Sequence, residues 1–80
     1  MKLTVRFMGL VRHYAGRDEA IVELSEGATL ADLVDALTGD LAILSNVDGI
    51  TFMIGGKTVS MPTALAEGDR VLALQSLGGG

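Results

Sequence analysis

The sequence predicts an α+β roll: a mixed sheet of four to five strands with one main helix packed on one face. Three observations predict it. Apolar and polar residues alternate near the start of the 80-residue chain and a β-rich run closes it, one central stretch has helical spacing, and Gly55-Gly56 marks a tight turn in the second half. A chain of this length makes a single small domain with a modest core.

The elements follow in order. Leu3, Val5 and Phe7 alternate with Lys2, Thr4, Arg6 and Met8, which describes a strand with one buried face. The run from Gly9 to Asp18 breaks that pattern and reads as a loop with at most one helical turn. Ala20, Val22 and Leu24 then alternate with Glu19, Ile21 and Glu23, giving a second strand. The short connection makes the two strands an antiparallel hairpin.

Ser25-Glu26-Gly27-Ala28 is a turn, and Thr29 with Asp32 three residues on is a weaker relative of the capping box. Leu30, Leu33, Val34 and Leu37 give the following helix one apolar face, and Gly39 is the expected C′ residue. From Asp40 to Gly49 the pattern is ambiguous and admits a short second helical segment. Thr51 to Ile54, the Gly55-Gly56 turn and Lys57 to Ser60 form a second hairpin. Pro62 and the Glu67-Gly68-Asp69 turn bound a connection to the last strand, Arg70 to Leu74, which is apolar on both faces. Such a strand is central in its sheet or offers one face to a partner. The crossover rule lets it lie beside the first strand.

Composition excludes several functions. Ten acids against six bases give a net charge of −4, which argues against nucleic acid and is compatible with a basic protein partner. There is no cysteine, hence no thiol nucleophile, disulfide or thiolate metal site. No apolar run reaches the roughly 18 residues that span a bilayer, and the amino terminus reads as a strand rather than a signal peptide, so a cytoplasmic protein away from the membrane is expected. The apolar fraction, 49 %, is high enough that part of it is expected to stay exposed as a contact surface.

No catalytic constellation stands out. His13 is the sole histidine and has no partner at metal-ligand spacing. Asp32 and Asp35 read as a cap and a solvated face. Ser25, Ser45, Ser60 and Ser76 lack a nucleophile setting, and Gly55-Gly56-Lys57-Thr58 lacks the strand-to-helix context of a phosphate loop. Met53 and Met61 suit either an adaptable surface or gap-filling in the core. No bound cofactor or metal is expected.

What remains is the end, Leu77-Gly78-Gly79-Gly80. Residues 1–75 are expected to form the domain and 76–80 a thin tail. Without a Cβ, glycine approaches other groups closely, and five extended residues reach ~17 Å. A terminal carboxylate is an inert anion at neutral pH. Adenylation by ATP would convert it to a mixed anhydride. Sulfide or a persulfide could then displace AMP and leave a thiocarboxylate, or a thiol and then an amine could displace it and join the domain to another molecule. Either route carries the tail into an enclosed pocket, where side chains on the last two residues would obstruct it.

The strand and helix order, Glu26-Gly27-Ala28-Thr29-Leu30-Ala31-Asp32-Leu33 at the helix start, Glu67-Gly68-Asp69-Arg70-Val71 before the last strand and the Gly79-Gly80 end together resemble the ubiquitin-like sulfur carriers (MoaD/ThiS). The resemblance covers essentially the whole chain and implies a β-grasp fold. The stretch Val11-Arg12-His13-Tyr14-Ala15-Gly16 is more similar to the small subunit of molybdopterin synthase than to the shorter thiamine carrier. The tail departs from that subunit, with Gln75-Ser76-Leu77 and a third glycine where prolines often stand. The resemblance implies that Gly80 carries the acyl-adenylate and then the thiocarboxylate, with Gly79 as the second residue of the pair. It implies two partners: a ubiquitin-activating-like adenylating enzyme, which uses ATP, and the large synthase subunit. The chain would then be a sulfur-donating subunit rather than a catalyst. A carrier for thiamine or another pathway, a protein modifier and a plain binding module are the alternatives. Partner contact is expected through Gly78, Leu77, Leu74, Leu72 (or Val71) and Met53.

Overall fold

The computed structural model describes residues 1–40 and 49–75. Seven elements follow one another: β1 (Lys2–Phe7), α1 (Leu10–Ala15), β2 (Glu19–Glu23), α2 (Leu30–Asp40), β3 (Ile50–Ile54), β4 (Lys57–Thr58) and β5 (Arg70–Gln75). The strands form one mixed sheet in the order β2-β1-β5-β3-β4. β1 pairs antiparallel with β2 and parallel with β5, while β3 runs antiparallel to both β5 and β4. The last strand therefore lies at the centre beside the first, as its apolar run predicts.

One face of the sheet carries the core. Leu3, Val5 and Phe7 of β1, Phe52 of β3, and Val71 and Ala73 of β5 cluster with Leu30, Leu33, Val34 and Leu37 of α2, and with Val11 and Leu65. The helix starts where the sequence says it should. The Thr29 N–H donates to Asp32 Oδ2 at 2.8 Å, and the Asp32 N–H donates back to Thr29 Oγ1 at 3.4 Å. Aspartate thus completes a reciprocal capping box. The next two amides, which a helix leaves without internal partners, donate to the loop around Pro62: Leu30 N–H to the Thr63 carbonyl at 2.9 Å and Ala31 N–H to the Met61 carbonyl at 3.0 Å.

Two turns set the strand register. Gly55 and Gly56 have φ of 60° and 81°, the pair of positive values that a two-residue type I′ hairpin requires. At Glu67-Gly68-Asp69, the Lys2 N–H donates to Glu67 Oε1 at 3.1 Å, the Gly68 N–H to the Lys2 carbonyl at 2.9 Å and the Thr4 N–H to the Asp69 carbonyl at 3.0 Å. This turn anchors the start of β5 to the start of β1.

The structure corrects two expectations. The Gly9–Asp18 stretch holds the six-residue helix α1, not a loop with a single turn: Val11 is buried, and Gly16 closes the helix in the left-handed conformation with its N–H on the Arg12 carbonyl. Gly39 does not end α2, which runs to Asp40. Glycine permits a positive φ without demanding one, and helical backbone costs it only about 1 kcal/mol relative to alanine. The ambiguous stretch, apart from its ends at Asp40 and Gly49, lies outside the described residues.

Candidate functional site

The two faces of the sheet differ. β1, β3 and β5 put their buried residues toward α2, so the alternate residues form the opposite face. Register aligns them in rows. Arg6, Leu72 and Met53 stand side by side on β1, β5 and β3, with Thr58 beyond on β4. Leu74 pairs with Thr51 in the next row, and Thr4 lies between Ile21 and Arg70 in the row before. Leu72, Leu74 and Met53 are half-buried and belong to no part of the core cluster. They make an apolar stripe on the central strand and its neighbour.

The stripe has a basic border. Arg6 lies across from Leu72 on β1 and Arg70 two residues before it on β5; both are exposed, and among the described residues neither forms an ion pair. The sequence alternation of Arg6 with Val5 and Phe7 already points it outward, but its place beside Leu72 follows only from the parallel pairing of β1 with β5. Of the residues expected at a partner contact, Leu72, Leu74 and Met53 come together on one face. Val71, the alternative to Leu72, is fully buried against α2 and is excluded. Leu77, Gly78, Gly79 and Gly80 lie outside the described residues. β5 ends at Gln75, one residue past Leu74.

The chemistry available on the domain itself is sparse. Among the described residues no group of three His, Cys, Asp or Glu side chains could hold a metal ion, and no polar or charged side chain is buried. His13 is exposed on α1, edge-on to Tyr14 at 6.0 Å between ring centroids. Asp32 is committed to the α2 cap. No described helix is long and apolar enough to cross a membrane.

A five-stranded mixed sheet with parallel β1 and β5 at its middle, crossed by α2, is the β-grasp of ubiquitin-like proteins. The chain belongs to the ThiS family, whose profile matches residues 5–80, and thus to the MoaD/ThiS group of ubiquitin-like sulfur carriers. Solved structures agree on the fold. SAMP1 of Haloferax volcanii superposes with a TM-score of 0.87 at 22% identity over 100% of both chains. A Pyrococcus furiosus protein assigned as molybdopterin converting factor, subunit 1, gives 0.87 at 26% identity, covering 96% of this chain and 99% of its own. A chain from the complex of molybdopterin-converting factor subunits 1 and 2 of Helicobacter pylori gives 0.72 at 20% identity over 100% of both. No curated protein matches the sequence.

Proposed function

We propose that this chain is a sulfur carrier that delivers sulfur from its carboxyl terminus in molybdopterin biosynthesis, as the small subunit of molybdopterin synthase. The observation that supports it best is a β-grasp domain whose central strand, β5, runs with an apolar outer stripe toward the Gly78-Gly79-Gly80 end. Docking on Leu72, Leu74 and Met53 aims that end at the partner's reaction centre. The Gly80 carboxylate attacks the α-phosphorus of ATP on an adenylating enzyme, and pyrophosphate leaves. Hydrosulfide then attacks the acyl carbon, AMP leaves, and loss of the proton gives the thiocarboxylate. The large synthase subunit receives the charged tail and directs its sulfur to the pterin precursor. The chain binds no cofactor, acts in the cytoplasm, and is a substrate and subunit rather than a catalyst.

Incubation with the host's adenylating enzyme, ATP and sulfide tests the carrier role by intact mass. The full chain gains the mass of one oxygen exchanged for sulfur. A chain ending at Leu77, whose terminal carboxylate no longer sits on glycine, keeps its fold and gains nothing. A truncated chain that is still charged overturns the reading. Loss of molybdopterin, unrelieved by thiamine, in cells without this chain tests the pathway. A second reading, a protein modifier, is favoured by the likeness to small archaeal modifier protein 1. It predicts lysine conjugates bearing a Gly-Gly remnant in cell extracts.

A further inference from the structure

β2 stands at one end of the sheet order, with β1 on one side and, among the described residues, no strand on the other. Its bonds to β1 fix which of its backbone groups are used. The Leu24 N–H donates to the Met1 carbonyl at 2.9 Å and the Phe7 N–H to the Asp18 carbonyl at 2.8 Å. In the register that pairs Leu3 with Val22 and Val5 with Ala20, antiparallel alternation then turns the N–H and C=O groups of Ala20 and Val22 toward β1. Those of Glu19, Ile21 and Glu23 point away from β1, along the open edge. Ala20 and Val22 pack against the core, so the side chains of Glu19, Ile21 and Glu23 lie on the outer face. All three are exposed, and Ile21, at 72%, is the most exposed of the large apolar side chains among the described residues.

An apolar, β-branched side chain in the middle of an open edge invites a pairing strand, and the charges around it decide which strand fits. On the outer face two columns match position by position: Lys2, Thr4 and Arg6 of β1 stand opposite Glu23, Ile21 and Glu19 of β2. Among the described residues none of these four charges is held in an ion pair. A second copy of this chain is the wrong occupant. Two β2 strands that overlap all three outward residues about a dyad set Ile21 against Ile21, but each Glu19 against the other copy's Glu23, and like charges directly opposite destabilise a cross-strand pair. A strand carrying a base, an apolar residue and a base at alternate positions continues the column pattern instead. It fits in either direction, because that pattern reads the same both ways. The stretch from residue 17 to 26 holds Asp18, Glu19, Glu23 and Glu26 against Arg17 alone, while Lys2 and Arg6 lie one strand further in.

We infer that the free edge of β2 receives an extended strand of a basic protein partner. The strand adds to the sheet through the backbone of Glu19, Ile21 and Glu23, sets a lysine or arginine opposite each carboxylate and lays an apolar side chain against Ile21. It lengthens the row that runs Glu19, Arg6, Leu72, Met53, and so lies on the face that carries the apolar stripe. The inference goes beyond the carrier reading and does not depend on the chemistry of the tail.

The test is an NMR titration of the full, isotope-labelled chain with a disulfide-closed hairpin peptide whose outer strand reads Lys-Thr-Val-Thr-Arg, a probe already ordered as a strand. The same hairpin with Glu at both basic positions is the comparison. The basic hairpin is expected to bind with Kd below about 1 mM in about 0.05 M salt, to move the amide signals of Glu19, Ile21 and Glu23 most, and to slow hydrogen exchange at Ile21. The acidic hairpin should bind at least about tenfold more weakly. In a chain with Glu19→Lys and Glu23→Lys, both exposed positions, the preference should reverse, with circular dichroism checking the fold. Three results on the wild-type chain, which needs no variant to fold, would each overturn the inference and leave the carrier reading intact. These are affinities for the two hairpins equal within about twofold, no saturation by the basic hairpin up to about 5 mM, or shifts gathered on a strand other than β2.

Discussion

Val71 and Leu72 are adjacent on β5 and face opposite sides of the sheet, so one substitution made at both positions separates core from surface. Val71 is fully buried, between Val5 on β1 and Ile54 on β3. An aspartate there loses about 2 kcal/mol of apolar burial and adds several kcal/mol of carboxylate desolvation, with no cation on that face to offset it. An 80-residue domain has only about 4–12 kcal/mol to lose. Val71→Asp should therefore be largely unfolded at neutral pH. Leu72 is half-buried beside Arg6, so Leu72→Asp forfeits about 1 kcal/mol of burial and up to about 1 kcal/mol of strand preference. It should stay folded, with a melting temperature about 5–15 °C below wild type. Far-UV circular dichroism with thermal melts reads both variants. A folded Val71→Asp together with an unfolded Leu72→Asp would mean that β5 sits one residue out of register, and the outer stripe would then be the core.

In pyrophosphate exchange by the host's adenylating enzyme, the same Leu72→Asp chain should support adenylation poorly, because its charge falls in the middle of the apolar stripe; wild-type kinetics would remove the stripe from the docking surface. Asp32→Ala deletes the carboxylate that accepts from the Thr29 N–H and should lower stability by about 1 kcal/mol in urea melts. Gly56→Ala places a Cβ at φ 81° and should cost about 1–2 kcal/mol, seen as a lower urea midpoint with the same slope. Glu67→Ala removes the acceptor for the Lys2 N–H and should speed amide exchange at Lys2 more than at Val5, which hydrogen-exchange NMR would register.

Much of the sheet was legible because its strands follow the two-residue period and its turns use glycine where φ must be positive. The α2 cap was legible for a similar reason: Thr29 and Asp32 stand at the spacing that lets each reach the other's backbone. α1 was under-read because a six-residue helix burying one side chain leaves no periodic stripe, while Gly9 and Gly16 mark its limits as turns. Gly39 misled because glycine is enriched just past helix ends, yet this one keeps helical backbone. The faces of β5 could not be told apart from Val71, Leu72, Ala73 and Leu74 alone, since both alternate sets are apolar. Cross-strand register separates them, and register depends on residues more than sixty positions away. The basic border has the same origin: Arg6 and Arg70 are unremarkable singly and meet around Leu72 only through the parallel pairing.

That pairing has a consequence for how the protein is made. β1 cannot complete its pairing until β5 has been synthesised, since β5 inserts between β1 and β3. Closing so long a loop is slow relative to local hairpin formation. Until it closes, β1 and β3 each present an open hydrogen-bonding edge, which invites mispairing with other chains. A nascent chain interrupted before Arg70 would thus be a candidate for aggregation and proteolysis, and assembly is finished only by the segment that leads directly into the glycines.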